Sequence, residues 1–117
     1  MSEKITALTI METMKKWVED KHPISPSQWL DASAKLNILR GDLDDFYFEL
    51  ESELANKKKD VLSSQDISVA KVDVIIKAEN QYLEMRKLGG VIGRLEEFIK
   101  IAKKQASLKN EEWINSH

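Results

Sequence analysis

Apolar residues recur every three, four or seven positions from residue 26 to residue 62, and no proline interrupts them after Pro26. The repeating positions are Leu36, Leu39, Leu43, Phe46, Leu50, Leu54 and Val61. This spacing predicts one amphipathic helix, which at 1.5 Å per residue is about 55 Å long. A helix of that length is typical of hairpins and coiled coils.

The start of this helix carries a capping signal. In Ser25-Pro26-Ser27-Gln28, Ser25 suits the N-cap, Pro26 the first helical position and Gln28 the third. Ile24 before the cap and Trp29 after it fit a hydrophobic staple. The pattern therefore predicts that the helix begins at residue 26.

Two other stretches have helical spacing, about residues 2–20 and about residues 67–109. Lys21-His22-Pro23 ends the first, and Ser63-Ser64-Gln65-Asp66 forms the turn before the last, with Ser63 and Asp66 as its cap. We predict that the last helix is continuous through Gly89-Gly90, although a hinge there is the alternative. Residues 110–117 are predicted to fray.

These elements predict an all-α single domain covering residues 1–117. The two long helices form an antiparallel hairpin, coiled-coil or bundle-like, and the shorter first helix packs on its open end. Folding back near Ser64 places position i opposite position 130 − i, so Gly41 faces Gly89. Because a helical glycine costs about 0.5–1 kcal/mol relative to alanine, matched glycines predict a close helix crossing. The predicted crossing residues are Gly41, Gly89, Gly90 and Gly93.

The distal half of the hairpin, residues 45–85, carries more apolar side chains than two helices can bury against each other. Three consecutive aromatic residues, for example, cannot all face one partner, because successive helical residues rotate by about 100°. Exposed apolar surface of this kind marks an interface, so we predict a homo-oligomer, a dimer or higher, most simply built as a four-helix bundle. The predicted self-association residues are Phe46, Tyr47, Phe48, Leu50, Leu54, Val72, Val74, Ile75, Ile76 and Tyr82.

Composition narrows the class of protein. The 117 residues are 42% hydrophobic and 32% charged, with a net charge of −2 and no cysteine. No apolar run is long enough to span a membrane, and residues 1–16 lack the apolar core of a signal peptide. We therefore expect a soluble cytoplasmic protein without disulfides or a membrane partner.

Charge is unevenly distributed. Residues 42–53 contain no basic residue, and Asp42, Asp45, Glu49 and Glu53 share one side of the helix. This is a solvated acidic face or a docking face for a basic protein partner, and a metal site is the least favoured reading. A nucleic-acid surface is a further alternative, because clustered lysines neutralise phosphates. Its candidate residues are Lys57, Lys58, Lys59, Lys71, Lys100, Lys103 and Lys104.

No combination of residues indicates catalysis. His22 and His117 are the only histidines, and the one carboxylate three or four positions from either, Glu19, is separated from His22 by the predicted helix end at Lys21-His22-Pro23. Residues 89–93 lack the lysine and the serine or threonine that end a phosphate-binding loop. We predict that the protein is not an enzyme and holds no cofactor or metal.

The layout resembles many small helical proteins of bacteriophages. The segment from Ala70-Lys71-Val72-Asp73 to Phe98-Ile99-Lys100-Ile101-Ala102-Lys103, about a third of the chain, is similar to phage recombination mediators. That resemblance implies an oligomer in the host cytoplasm that helps load a recombinase on single-stranded DNA, and it implies no site residue.

The sequence as a whole favours a non-catalytic interaction or assembly protein that binds a protein partner as adaptor, scaffold or inhibitor. An oligomeric accessory protein of nucleic-acid metabolism is one alternative, and a structural virion component is another.

Overall fold

The computed structural model describes residues 2–20, 23–64 and 67–116 and contains four helices. They are α1 (Ser2–Glu19), α2 (Pro26–Ser64), α3 (Val69–Lys77) and α4 (Asn80–Ser116). The long helices α2 and α4 pack against each other along the hairpin, and α1 packs on both of them. The predicted all-α hairpin with a helix on its open end is confirmed. His22, Gln65, Asp66 and His117 lie outside the described residues.

Helix α2 begins with the predicted capping box. The backbone N–H of Ser25 donates to Oε1 of Gln28 at 2.9 Å, and the N–H of Gln28 donates to Oγ of Ser25 at 3.3 Å. These reciprocal bonds satisfy donors that an uncapped helix end leaves unpaired. The next residue, Trp29, is buried, and its ring meets Trp17 of α1 edge to face at 5.0 Å. The cap therefore fixes the point at which α1 folds back on α2.

A main core joins α1, α2 and α4. Among the described residues it contains thirteen buried side chains. They are Ala7, Met11, Met14, Trp29, Ala32, Leu36, Leu43, Leu88, Val91, Leu95, Ile99, Ala102 and Ala106. Their spacing of three, four or seven residues on each helix is the periodicity that the sequence shows.

The last arm is continuous through Gly89-Gly90, as predicted, but it is not one unbroken helix over 67–109. It is interrupted at Ala78–Glu79, where N–H groups bond to carbonyls three residues back. If the helix were unbroken, Val74 would lie two heptads before Leu88 and three heptads before Leu95. It would then be on the same side of the helix as these two buried residues and would face inward. Instead Val72 and Ile76 are buried and Val74 is 69% exposed, so the interruption changes which side of the chain faces α2.

The ends of the helices also differ from the prediction. Helix α2 continues through Ser64, whose hydroxyl donates to the carbonyl of Asp60 at 2.7 Å. The N-cap of α3 is Ser68, whose Oγ accepts the N–H of Lys71 at 3.3 Å. The predicted cap residue Asp66 lies outside the described residues. At the other end α4 is helical through Ser116, beyond the predicted end at residue 109, because no glycine or proline follows Gly93 to stop it.

The predicted close crossing of Gly41 and Gly89 is wrong. A Cβ atom added to Gly41, Gly90 or Gly93 would meet no heavy atom within 4 Å. A Cβ on Gly89 would lie 3.3 Å from Cε2 of Tyr47, so this glycine makes room for a ring and not for a backbone.

A shift in register explains the error. At the tip Lys58 bonds Asp73, which is near the predicted register. Beyond the interruption Tyr47 contacts Gly89 and Glu53 bonds Gln81, which lie about four to six residues further along α4 than predicted. The residues around Ala78–Glu79 absorb this difference.

The fold is a rod. Its principal extents are 73 × 24 × 21 Å and its radius of gyration is 20.0 Å, whereas a compact chain of this length has a radius of about 13 Å. None of the helices, over the residues that the structure describes, combines the length and apolarity needed to cross a membrane.

Candidate interaction surface

The apolar residues predicted to mediate self-association fall into two groups. Leu54, Val72 and Ile76 are buried within the monomer and form a second cluster, the tip core, against which Tyr82 packs. Phe46, Tyr47 and Leu50 are partly buried against the main core. The expectation that two helices cannot bury these side chains is therefore wrong for the tip core, because the interruption before α4 lets α3 turn its apolar side onto α2.

Three of the predicted self-association residues remain exposed. Phe48 is 62% exposed on α2, and on α3 Val74 is 69% and Ile75 is 41% exposed. Phe48 borders a shallow depression together with Asp45, Glu49, Ser52 and Glu53. Three of the four residues of the predicted acidic docking face thus surround one exposed ring.

The complete acidic face lies on one side of α2. Asp42, Asp45, Glu49 and Glu53 are all exposed, at spacings of three and four residues. Glu53 also accepts a hydrogen bond from Nε2 of Gln81 at 2.7 Å. The predicted alignment of these carboxylates is therefore present, and one of them also links α2 to α4.

Exposed apolar or small residues extend along the same helix. We define the outer α2 row as Leu30, Ala34, Ile38, Gly41, Phe48 and Ser52, all of which are exposed. Ile38 is 69% and Leu30 is 52% exposed. Steps of four, four, three, seven and four residues place the row on the side of α2 opposite the main core. Asp45 lies on the same side of α2, between Gly41 and Phe48. Leu30 and Ile38 were not predicted as interface residues, although the helical spacing of the row is visible in the sequence.

Polar contacts tie the tip of the rod together. Nζ of Lys58 lies 2.8 Å from Oδ1 of Asp73, and Nζ of Lys57 lies 3.4 Å from Oε2 of Glu79. The hydrogen bond from Lys58 is the largest cause that lowers the pKa of Asp73 below its ordinary value of 3.8, and the charges of Lys58 and Lys77 act in the same direction. These pairs link α2 to α3 and to the segment between α3 and α4.

The same pairs change the interpretation of the lysines predicted to contact nucleic acid. Lys57 and Lys58 face carboxylates, and Nζ of Lys100 lies 3.4 Å from Oε1 of Glu97. Lys59 and Lys71 are exposed near the tip, and Lys103 and Lys104 are exposed on the last third of α4. The structure thus separates these lysines into two groups and partly neutralises each.

The described residues form no enclosed polar site that stands out as a metal or ligand site. No three His, Asp or Glu side chains converge there in a way that could hold a metal ion. A groove of about 280 Å³ lies between α1 and α2, beside Trp17 and Thr13. Its charged residues Asp31 and Lys35 pair with each other at 3.1 Å, and Thr13 donates to the carbonyl of Thr9. The outer α2 row and the carboxylates beside it are therefore the best-defined candidate surface.

Comparison of the chain with protein-family models, with curated proteins and with solved structures finds no match.

Proposed function

We propose that this protein is a non-catalytic helical assembly protein, which acts by self-association through the outer α2 row. One observation carries the proposal: Leu30, Ile38 and Phe48, each more than half exposed, lie along a single face of a single helix. Scattered apolar residues are ordinary on a protein surface, whereas a contiguous row flanked by charges is typical of an interaction site.

The amount of exposed surface supports an assembled state. The chain exposes 8075 Å², whereas a compact monomer of 13.5 kDa exposes about 6,500 Å². This excess of about 1,500 Å² per chain is larger than the roughly 800 Å² that a standard protein–protein interface buries on each partner. Side-by-side pairing of two rods is a direct way to cover such an excess.

The energetics also favour burial of the row. Fully burying a leucine, isoleucine or phenylalanine side chain contributes about 1.5–3 kcal/mol. Several such residues on each of two chains outweigh the cost of association only if they are buried together, which a single helix face allows. The row therefore acts as one surface and is sensitive to the loss of its largest member.

Size-exclusion chromatography with light scattering, run over a concentration series, tests the proposal. We expect the wild-type chain to elute at a multiple of its 13.5 kDa mass. Phe48→Ser should shift the assembly to the monomer at concentrations where the wild type is associated, because the largest exposed side chain of the row is lost.

Leu83→Ser is the matched control. Leu83 is 52% exposed on α4, outside the row, so its loss should leave the assembly unchanged. A wild-type monomer at high micromolar concentration would overturn the proposal, as would equal weakening of the assembly by both variants.

A further inference from the structure

The charges of α2 restrict how two copies of the outer α2 row can meet. Residues 42–53 carry six carboxylates and no basic residue, whereas residues 29–40 carry Lys35 and Arg40 with one carboxylate, Asp31. A parallel pair in register would place acidic segment against acidic segment, and like charges at an interface oppose association. An antiparallel pair places the acidic segment of each chain against the segment that contains Lys35 and Arg40.

The sizes of the side chains then select a register. With a two-fold axis at Gly41, Ala34 of one copy lies opposite Phe48 of the second, and Leu30 lies opposite Ser52. Leu30 and Phe48 thus each meet a small residue, which lets two helices pack closely at these positions, and Ile38 lies level with position 44. Asn37 lies opposite Asp45, so the amide of Asn37 can donate to the carboxylate that lies between Gly41 and Phe48.

Gly41 suits the position on the axis. It is exposed, and a Cβ built on it would meet no heavy atom within 4 Å, so the space beside it is open for a second helix. The helical penalty of this glycine is not offset by any contact with α4. Close approach of another α2 at this point gives it a structural role.

Flanking charges agree with the same register. Lys35 of one copy lies level with position 47 of the second, between Asp45 and Glu49. In the monomer Lys35 pairs with Asp31, and both side chains are more than half exposed, so Lys35 can exchange that carboxylate for another at little cost.

We propose that the protein forms a two-fold symmetric antiparallel dimer through the outer α2 row, with the axis at Gly41. This inference rests on the proposed function and adds the partner, a second copy of the chain, and its orientation. The contact from position 30 to position 52 is about 33 Å long. Because Gly41 lies near the middle of α2, the two rods overlap over most of their length.

Disulfide trapping tests whether the two copies meet at Gly41, since the chain contains no cysteine. At helix axes 8–10 Å apart, the two Cα atoms at Gly41 are about 4–5 Å apart, within the range of a disulfide. We expect Gly41→Cys to form a covalent dimer under mild oxidation. Gly93→Cys is the matched control, because Gly93 is an exposed helical glycine on α4 with nothing within 4 Å, and it should stay monomeric in the denatured state.

The outcomes separate the two proposals. A chain that is monomeric by light scattering contradicts the proposed function itself. An associated chain in which Gly41→Cys and Gly93→Cys oxidise equally slowly contradicts only the antiparallel register, provided that circular dichroism shows both variants to be helical.

A distance measurement covers the case in which cysteine at position 41 disturbs the contact. Lys59 is exposed near the end of α2, outside the contact from position 30 to position 52. Spin labels on Lys59→Cys should be about 54 Å apart in the antiparallel dimer, because each lies 18 residues from the axis at 1.5 Å per residue. A separation below about 30 Å would overturn the proposal, because it would show parallel or tip-to-tip association.

Discussion

The two ends of the rod are stabilised in different ways. At the open end three helices surround the main core, in which Met14, Leu36 and Leu95 are fully buried. At the tip only α2, α3 and the start of α4 meet, and the tip core has three buried residues, Leu54, Val72 and Ile76. The tip adds ion pairs and a hydrogen bond across its helices, whereas the open end depends on apolar packing.

This difference shows where the unburied apolar surface lies. The tip closes its own core by interrupting the second arm of the hairpin, so its apolar residues are largely internal. No other helix in the described part of the chain covers the outer α2 row, because α1 and α4 both pack on other sides of α2. The candidate interface therefore lies nearer the middle of the rod than the tip, where the sequence had predicted it.

The largest effect should come from truncating the same side chain in the two cores. Leu36→Ala should lower the free energy of unfolding by about 4 kcal/mol, because Leu36 is fully buried among three helices. Leu54→Ala should lower it by about 2 kcal/mol, because the small tip core can relax or admit water. Urea unfolding followed by circular dichroism measures both, and an equal or larger loss for Leu54→Ala would contradict the comparison.

A smaller effect is expected from the ion pair between Lys58 and Asp73. Because folding lowers the pKa of Asp73, its ionised form contributes stability above pH 3.8, and this contribution is lost as the pH falls through the folded pKa. Lys58→Met should remove it at neutral pH. Hydrogen exchange of the α3 amides should then be faster in this variant than in the wild type at pH 7.

Lys100→Met is the control for that exchange experiment, since Lys100 pairs with Glu97 on α4, far from α3. It should leave the α3 amides as protected as in the wild type. If Lys58→Met also leaves them unchanged, the pair does not hold α3 in place.

The smallest effect concerns the glycines of α4. Gly93→Ala should raise the free energy of unfolding by about 0.5–1 kcal/mol, because alanine favours the helix and the new Cβ meets nothing. Gly89→Ala should gain less, because its Cβ would lie 3.3 Å from Cε2 of Tyr47. Thermal unfolding compares them, and a larger gain for Gly89→Ala would show that the ring moves freely.

The sequence was sufficient for the open end and insufficient for the tip. The capping box at Ser25 follows from a local sequence signal and is present. No proline or glycine marks the interruption at Ala78–Glu79 in the sequence. The interruption accompanies the burial of Val72 and Ile76, which is a tertiary effect that local sequence signals do not show. That missed interruption shifted the register and led to the wrong pairing of Gly41.

The candidate surface was also only partly predictable from the sequence. Phe48 and the carboxylates beside it were identified because they stand out as a consecutive aromatic run and an acidic run. Leu30 and Ile38 were missed because they are isolated apolar residues, and only the position of α4 shows that they face away from the core.

Small-angle X-ray scattering on the chromatographic peak, with the mass measured by light scattering, tests the central claim most directly. Side-by-side antiparallel pairing predicts twice the chain mass and a maximum dimension of no more than about 90 Å, little above the 73 Å of one chain. The mass of a single chain, or a dimer with a maximum dimension of about 140 Å, would contradict it.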